Sequence, residues 1–193
     1  ELHKRGISPG QVTDVVLTHL HFDHCGYSTL KNEETGEIYP AFPNATYWVS
    51  RKQWDNFLHP NALEKDSYFI ENMKAIADNG QLRLIDTDTE LCPDIDLRLF
   101  DGHTQGQIVP YIHTPEQTFV FAGDVIPLAA SVSPEWISAY DTFPVTSYQE
   151  KVRMLEKAAR EGQVLIYCHD AYTRCSTVKK VNDFFKKDKT IEI

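Results

Sequence analysis

Thr18-His19-Leu20-His21-Phe22-Asp23-His24 places three imidazoles and a carboxylate within six positions, in a chain of 193 residues that holds only eight histidines. Neutral imidazole nitrogen and carboxylate oxygen are donors that a borderline-soft divalent cation such as zinc accepts. A polar surface loop that happens to hold histidine is the alternative, and so tight a cluster argues against it. The same donor types recur at three later positions, each just after a strand-like run: His103, Asp124 and His169. Taken singly, a histidine at a strand end reads as a hydrogen-bonded structural residue. With the early cluster these positions make seven donors, too many for one tetrahedral ion and enough for two that share a carboxylate. The chain has no G-x-S-x-G, so a serine nucleophile is not what it offers.

Elements must bring these donors together. The apolar run at residues 12–17 predicts a buried strand, with the histidine cluster on the loop at its end, where side chains can turn toward one point. Before it, Gly6 and Ser8-Pro9-Gly10 mark the end of a helix and a turn. Residues 31–44 form a polar, turn-rich excursion, and 45–49 a strand. Ser50-Arg51-Lys52-Gln53 fits a capping box opening a short helix to Phe57 or Leu58. A second helix is expected from about 63 to 78, stopped by Asn79-Gly80, with Phe69, Ile70, Met73 and Ile76 on one apolar face. From Gln81 the period becomes two, predicting strands around 82–84, 95–99, 108–112 and 118–122. Gly102 and Gly123 beside His103 and Asp124 let the backbone approach closely. After an irregular aromatic stretch at 125–144, a helix opens at Thr146 and runs to Glu161, with Gly162 as its stop. Residues 164–167 form a last buried strand delivering Cys168-His169-Asp170, and 176–187 read as a helix.

The length predicts one domain over residues 1–193, with a sizeable core. Net charge is −9, from 28 acidic and 19 basic residues. Such a balance disfavours nucleic acid as a partner, and the lysines at 179, 180, 186, 187 and 189 read as a solvated helix face. No apolar run approaches the ~18 residues of a membrane span, and residues 1–10 carry no signal-peptide core, so a cytoplasmic protein is expected. Cys25, Cys92, Cys168 and Cys175 include no C-x-x-C pair and read as free thiols. Cys25 and Cys168 adjoin proposed ligand histidines; small buried fillers are the reading there, ligand roles the alternative.

The pattern H-x-H-x-D-H at 19–24, then Gly102-His103-Thr104, Gly123-Asp124 and a last histidine at 169 resembles the metallo-β-lactamase superfamily. Within it the chain is similar to the quorum-quenching N-acyl-homoserine lactonases and their methyl parathion hydrolase-like relatives, a likeness helped by FPNATYWVSRKQW and GHTQGQ. The resemblance implies an α+β fold, the αββα sandwich of two mixed sheets. It also implies that His19, His21 and His103 hold one divalent metal, that Asp23, His24 and His169 hold a second, and that Asp124 bridges them. Zinc is the expected ion, although manganese, iron and cobalt accept the same donors. Relatives carry several strands before the motif where this chain has 18 residues, so an N-terminally truncated domain is expected. Gln107 stands where the common motif has a last, non-ligating histidine. Pro127 stands where some lactonases place a substrate-binding tyrosine, which leaves Tyr140 and Tyr172 as candidates.

Two cations sharing a water lower its pKa from ~15.7 to about 7. The expected chemistry is therefore hydrolysis of a lactone or small ester, with Asp23 and Asp124 as catalytic carboxylates and Asp23 as proton shuttle. Phe22, Trp136, Ile137 and Tyr140 are expected to line an apolar substrate pocket. The partners expected are that small molecule and a second copy in a homodimer. A glyoxalase II-type thioester hydrolase uses the same ligands, and a non-catalytic metal-binding module is the alternative from another class. A flavin-coupled diiron reductase carries glutamate where His21 stands, and an RNA-processing nuclease needs a basic face.

Overall fold

Short strands and amphipathic helices alternate along the chain. The computed structural model describes residues 1–192 and falls into two units, the first ending at Asp86 and the second beginning at Thr87.

The first unit opens with 3-10 turns at Leu2–Arg5 and Pro9–Gln11, Gly6 capping the former in the left-handed region (φ 71°). Strand β1 (Asp14–Val16) is shorter than the six residues expected. The histidine stretch is not all loop: Phe22–Cys25 forms one turn of helix, α1, because the amides of His24 and Cys25 donate back to the His21 carbonyl. The excursion expected at 31–44 contains a hairpin, β2 (Thr29–Lys31) with β3 (Ile38–Pro40). Its turn is set by Asn32, whose Oδ1 accepts from the amides of Glu34 and Thr35, and by Gly36 at φ 74°. Next come β4 (Thr46–Ser50) and α2 (Arg51–Leu58), whose N-cap Ser50 accepts from the Gln53 amide. The helix expected from 63 to 78 is broken. A 3-10 turn at Lys65–Ser67 gives way to extended Tyr68 before α3 (Glu71–Asp78). That break buries the Tyr68 ring against Phe57, whereas Phe69 and Ile70 stay exposed and Met73 and Ile76 fill the core. Strand β5 (Leu82–Ile85) completes a parallel sheet of order β1-β4-β5. Parallel neighbours need crossovers; α2 and α3 provide the one between β4 and β5, and residues 17–45 the one between β1 and β4. Leu17, Leu20, Tyr47, Val49, Phe57, Met73 and Ile76 form the core beneath.

The second unit is a seven-stranded sheet of order β12-β11-β10-β9-β8-β7-β6. Its strands are β6 (Thr89–Cys92), β7 (Ile95–Phe100), β8 (Gln107–His113), β9 (Thr118–Phe121), β10 (Val164–Ile166), β11 (Cys175–Val181) and β12 (Phe184–Ile191). Only β9 and β10 pair in parallel, joined by helix α4 (Pro144–Glu161). Pro144 suits the first turn, where its missing N–H costs nothing, and Gly162 ends the helix at φ 65°. Met154, Leu155 and Ala158 of α4 pack on Val109, Val120 and Leu165 of the sheet. The tail is a β-hairpin, not the helix expected over 176–187. Asn182 takes φ 55° at the turn, which asparagine tolerates better than most residues. Cys175, Ser176, Val178 and Phe185 are buried, with Val178 opposite Lys187 and Phe185 opposite Lys180 across the hairpin. The lysines accordingly decorate strands: Lys179 bonds Asp188 across the hairpin, and Lys180 lies over the Phe185 ring.

Candidate metal centre

In the first unit the donors leave the C-terminal end of β1, the edge where parallel sheets present functional groups. His19 is fully buried, and its ring centroid lies 4.6 Å from that of His21 and 4.0 Å from that of His24. Thr18 Oγ1 is 3.1 Å from His19 Nδ1. Buried Gln53 of α2 reaches back to this turn, where its Oε1 accepts from the Leu20 amide at 3.1 Å. Asp23 is the exposed member, with Oδ2 3.3 Å from His24 Nε2.

A carboxylate absent from the sequence reading stands behind His21. Glu64, buried just before the 3-10 turn, places Oε1 3.2 Å from His21 Nε2. Asn56 Nδ2 donates to Oε2 at 3.0 Å, Asn61 Nδ2 contacts the same oxygen, and the Tyr68 hydroxyl lies 2.9 Å from Oε1. That hydroxyl is also 3.0 Å from Gln53 Oε1, so one proton serves two acceptors. An ionised carboxylate only accepts, so His21 keeps its proton on Nε2 and presents the Nδ1 lone pair. Nothing local in the sequence distinguishes Glu64 from other helix-end glutamates; its role follows from the break at Tyr68.

In the second unit all donors sit on one edge of the sheet. Phe121 and Ile166 are paired in parallel register, so Asp124 and His169 emerge side by side a few residues on. His103 comes from the loop joining β7 to β8, held by α4. Glu150 takes the amides of Asp101 and Gly102 at 2.9 Å each. Burial pushes the Glu150 carboxyl above the ordinary carboxylate range, and those two N–H groups pull the other way. Gly102 is required here, because a Cβ would lie 2.4 Å from Ser147 Cα. Gln107, with its amide oxygen turned to the 3-10 turn at Gly123–Val125, accepts from the amides of Asp124 (3.2 Å) and Val125 (3.3 Å). His169 is tied by its amide to the Pro127 carbonyl at 3.1 Å. Next to it Asp170 accepts from the amides of Thr173, Tyr172 and Ala129, which hold its carboxyl below the usual range.

His103 is flanked by two carboxylates. Its Nδ1 lies 2.9 Å from Asp141 Oδ1, so the ring proton belongs there. Its Nε2 lies 3.5 Å from Asp124 Oδ2 on the other side of the ring. His169 Nε2 is 3.2 Å from Asp124 Oδ1. Asp124 and His103 are both buried. Two imidazole nitrogens converging on one buried carboxylate make a donor set that fits zinc. Asp141 is the second positioning carboxylate that the sequence reading missed.

The residues expected to line a substrate pocket are mostly exposed. Phe22 is half exposed with its ring 5.6 Å from that of Phe69, and Trp136 is exposed. Ile137 is partly buried, and Tyr140 stands edge-on to His103 with centroids 5.7 Å apart. Tyr172 is 97% exposed, which leaves Tyr140 as the hydroxyl beside a donor histidine. None of the four cysteines forms a disulfide among the described residues. No helix among the described residues is long and apolar enough to cross a membrane.

The family model described as the metallo-beta-lactamase superfamily matches residues 1–169. The chain belongs to that superfamily and has its α+β fold. Among solved structures it is similar to a probable metal-dependent hydrolase from Staphylococcus aureus (TM-score 0.85, 26% identity, 99% of this chain and 68% of that one). It shares its fold with AidC, a dizinc quorum-quenching lactonase solved with a product (TM-score 0.80, 20% identity, 100% and 69%). Among curated proteins it is similar to an N-acyl homoserine lactonase from Bacillus thuringiensis, 23% identical over 175 residues, or 88% of this chain and 60% of the relative. The chain thus spans about 60% of the length of the curated relatives it matches.

Proposed function

We propose that this chain carries the metal-binding core of a hydrolase that opens lactones, with N-acyl-homoserine lactones as the substrate class. The observation that carries the metal reading is the convergence of His103 Nε2 and His169 Nε2 on the buried Asp124 carboxylate, at 3.5 and 3.2 Å. Superfamily membership and the lactonase relatives support the substrate class. In this reading His19, His21 and His103 hold one divalent cation, Asp23, His24 and His169 a second, and Asp124 is shared. Bound there, the cations would supply Lewis acidity and a water acidic enough to ionise near neutral pH.

The chain's own residues do the rest. Glu64 and Asp141 fix ring tautomers, so His21 and His103 present lone pairs without reorganising. Asp23, exposed and close to His24, carries a proton from the attacking water to the leaving alkoxide. The Tyr140 hydroxyl donates to the substrate carbonyl, and Phe22, Trp136 and Ile137 take the acyl chain.

The test is ring opening of an acyl-homoserine lactone by the zinc-loaded protein, followed as proton release at constant pH. Turnover is expected, lost on chelation and restored by zinc. A protein that binds zinc yet opens no lactone overturns the substrate class, and turnover of a thioester in its place assigns the glyoxalase II-type reaction. A protein that binds no divalent cation overturns the whole reading.

A further inference from the structure

We propose that Cys168 is a metal ligand, giving the ion held by Asp124 and His169 a sulfur donor beside its nitrogen and oxygen donors. This inference rests on the metal reading above and extends it to a residue outside the seven expected donors.

Three donor atoms of consecutive or facing residues converge here. Cys168 Sγ lies 3.2 Å from Asp124 Oδ1, and His169 Nε2 lies 3.2 Å from the same oxygen. Sulfur, nitrogen and oxygen are all within 4.8 Å of one another. Cys168 would be a fifth protein donor to that ion, and neighbouring donors roughly 2.0–2.3 Å from a five-coordinate ion lie about 2.8–4.0 Å apart, so these separations need little adjustment. The backbone fixes the thiol's direction from both sides. The Tyr167 amide donates to the Arg174 carbonyl, the Tyr167 hydroxyl lies 2.8 Å from Ser176 Oγ, and the His169 amide donates to the Pro127 carbonyl.

The other cysteines show what a filler looks like. Cys25 is buried, gives its S–H to the Leu20 carbonyl at 3.2 Å, and burial pushes its thiol up to about 11. Cys175 is fully buried in β11. Cys168 is only partly buried, and its sulfur points at a carboxylate. On binding, the thiol proton leaves to solvent as the metal–sulfur bond forms. A sulfur donor favours zinc or cobalt over magnesium or manganese, which narrows an ion choice that the seven nitrogen and oxygen donors leave open.

The experiment is titration of the chelator-stripped full chain with Co2+ alone, read by absorption. The wild type should show the sulfur-to-cobalt charge-transfer band in the near ultraviolet together with the visible d–d bands. Cys168→Ser should lose the first and keep the second. Visible bands without the charge-transfer band in the wild type, or a charge-transfer band that survives in Cys168→Ser, overturn the proposal while leaving the metal reading intact. Absence of both sets of bands overturns both. A second measurement needs no variant: alkylation of the wild type with iodoacetamide, with and without Zn2+. Metal should slow labelling of Cys168 at least tenfold while exposed Cys92 labels equally in both; equal labelling of Cys168 in the two states overturns the proposal.

Discussion

In the first unit three histidines and an aspartate come from six consecutive positions, aimed by one strand end and one turn of helix. In the second, His103, Asp124 and His169 come from three separate strand ends, brought to one edge by sheet register and by α4. The two designs carry different liabilities. A contiguous cluster is positioned by its own chain, so its weak point is side-chain orientation, which Gln53 and Glu64 secure from elsewhere. A dispersed set is positioned by packing, so its weak point is the close approach of loop and helix at Gly102 and Glu150.

That contrast can be broken most sharply at Gly102. Alanine there overlaps the Ser147 backbone, which cannot move without α4, and should cost about 3 kcal/mol or more in urea unfolding. A near-neutral result would mean the second unit's donors do not depend on that packing.

Lys151 of α4 tests the same dependence through pH. Its side chain is buried and donates to the Trp136 carbonyl at 2.8 Å, and burial lowers its pKa from 10.5 to about 8. Between those values the unfolded chain holds more protons than the folded one, so this group makes stability rise with pH. The gain is at most about 3 kcal/mol over the window. Tyr111, raised to about 12, acts with the opposite sign at higher pH. Comparing the wild type with Lys151→Met across pH 8 to 10.5 isolates the lysine, and parallel curves would refute its assignment.

The positioning carboxylates sharpen the comparison. Glu64→Ala and Asp141→Ala should each weaken zinc binding 10- to 100-fold in chelator competition. Glu64→Ala also strips acceptors from Asn56, Asn61 and Tyr68 and should destabilise by about 2–3 kcal/mol, against about 1 kcal/mol for Asp141→Ala. Equal stability losses would show that Glu64 serves only His21.

The smallest effect is expected at Ser50→Ala, about 1 kcal/mol from the lost N-cap of α2. Zinc affinity should change little, because the cap takes only the Gln53 backbone amide and leaves its side-chain bond to the Leu20 amide in place. A large loss of affinity would show that α2 positions the histidine turn more strictly than its hydrogen bond to Leu20 implies.

Residue type and spacing point to candidate donors, because metal chemistry restricts ligands to a few side chains and four of these crowd into six positions of a histidine-poor chain. They were also enough to find the cap at Ser50, the stop at Gly162 and most strands, which rest on short-range periodicity and turn chemistry. The tail defeated the same reasoning. Its lysines suit either a helix or an exposed strand face, and the choice fell to β10, whose edge pairs with β11. The break before α3 was hidden for a like reason: burying Tyr68 against Phe57 outweighs two more turns of helix. Glu64 and Asp141 could not be singled out at all, since a carboxylate becomes a positioning group only when folding sets it behind a particular imidazole nitrogen. Local chemistry thus marks candidate groups for a cation, and long-range packing decides which nitrogen of His21 lies against Glu64 and which of His103 against Asp141.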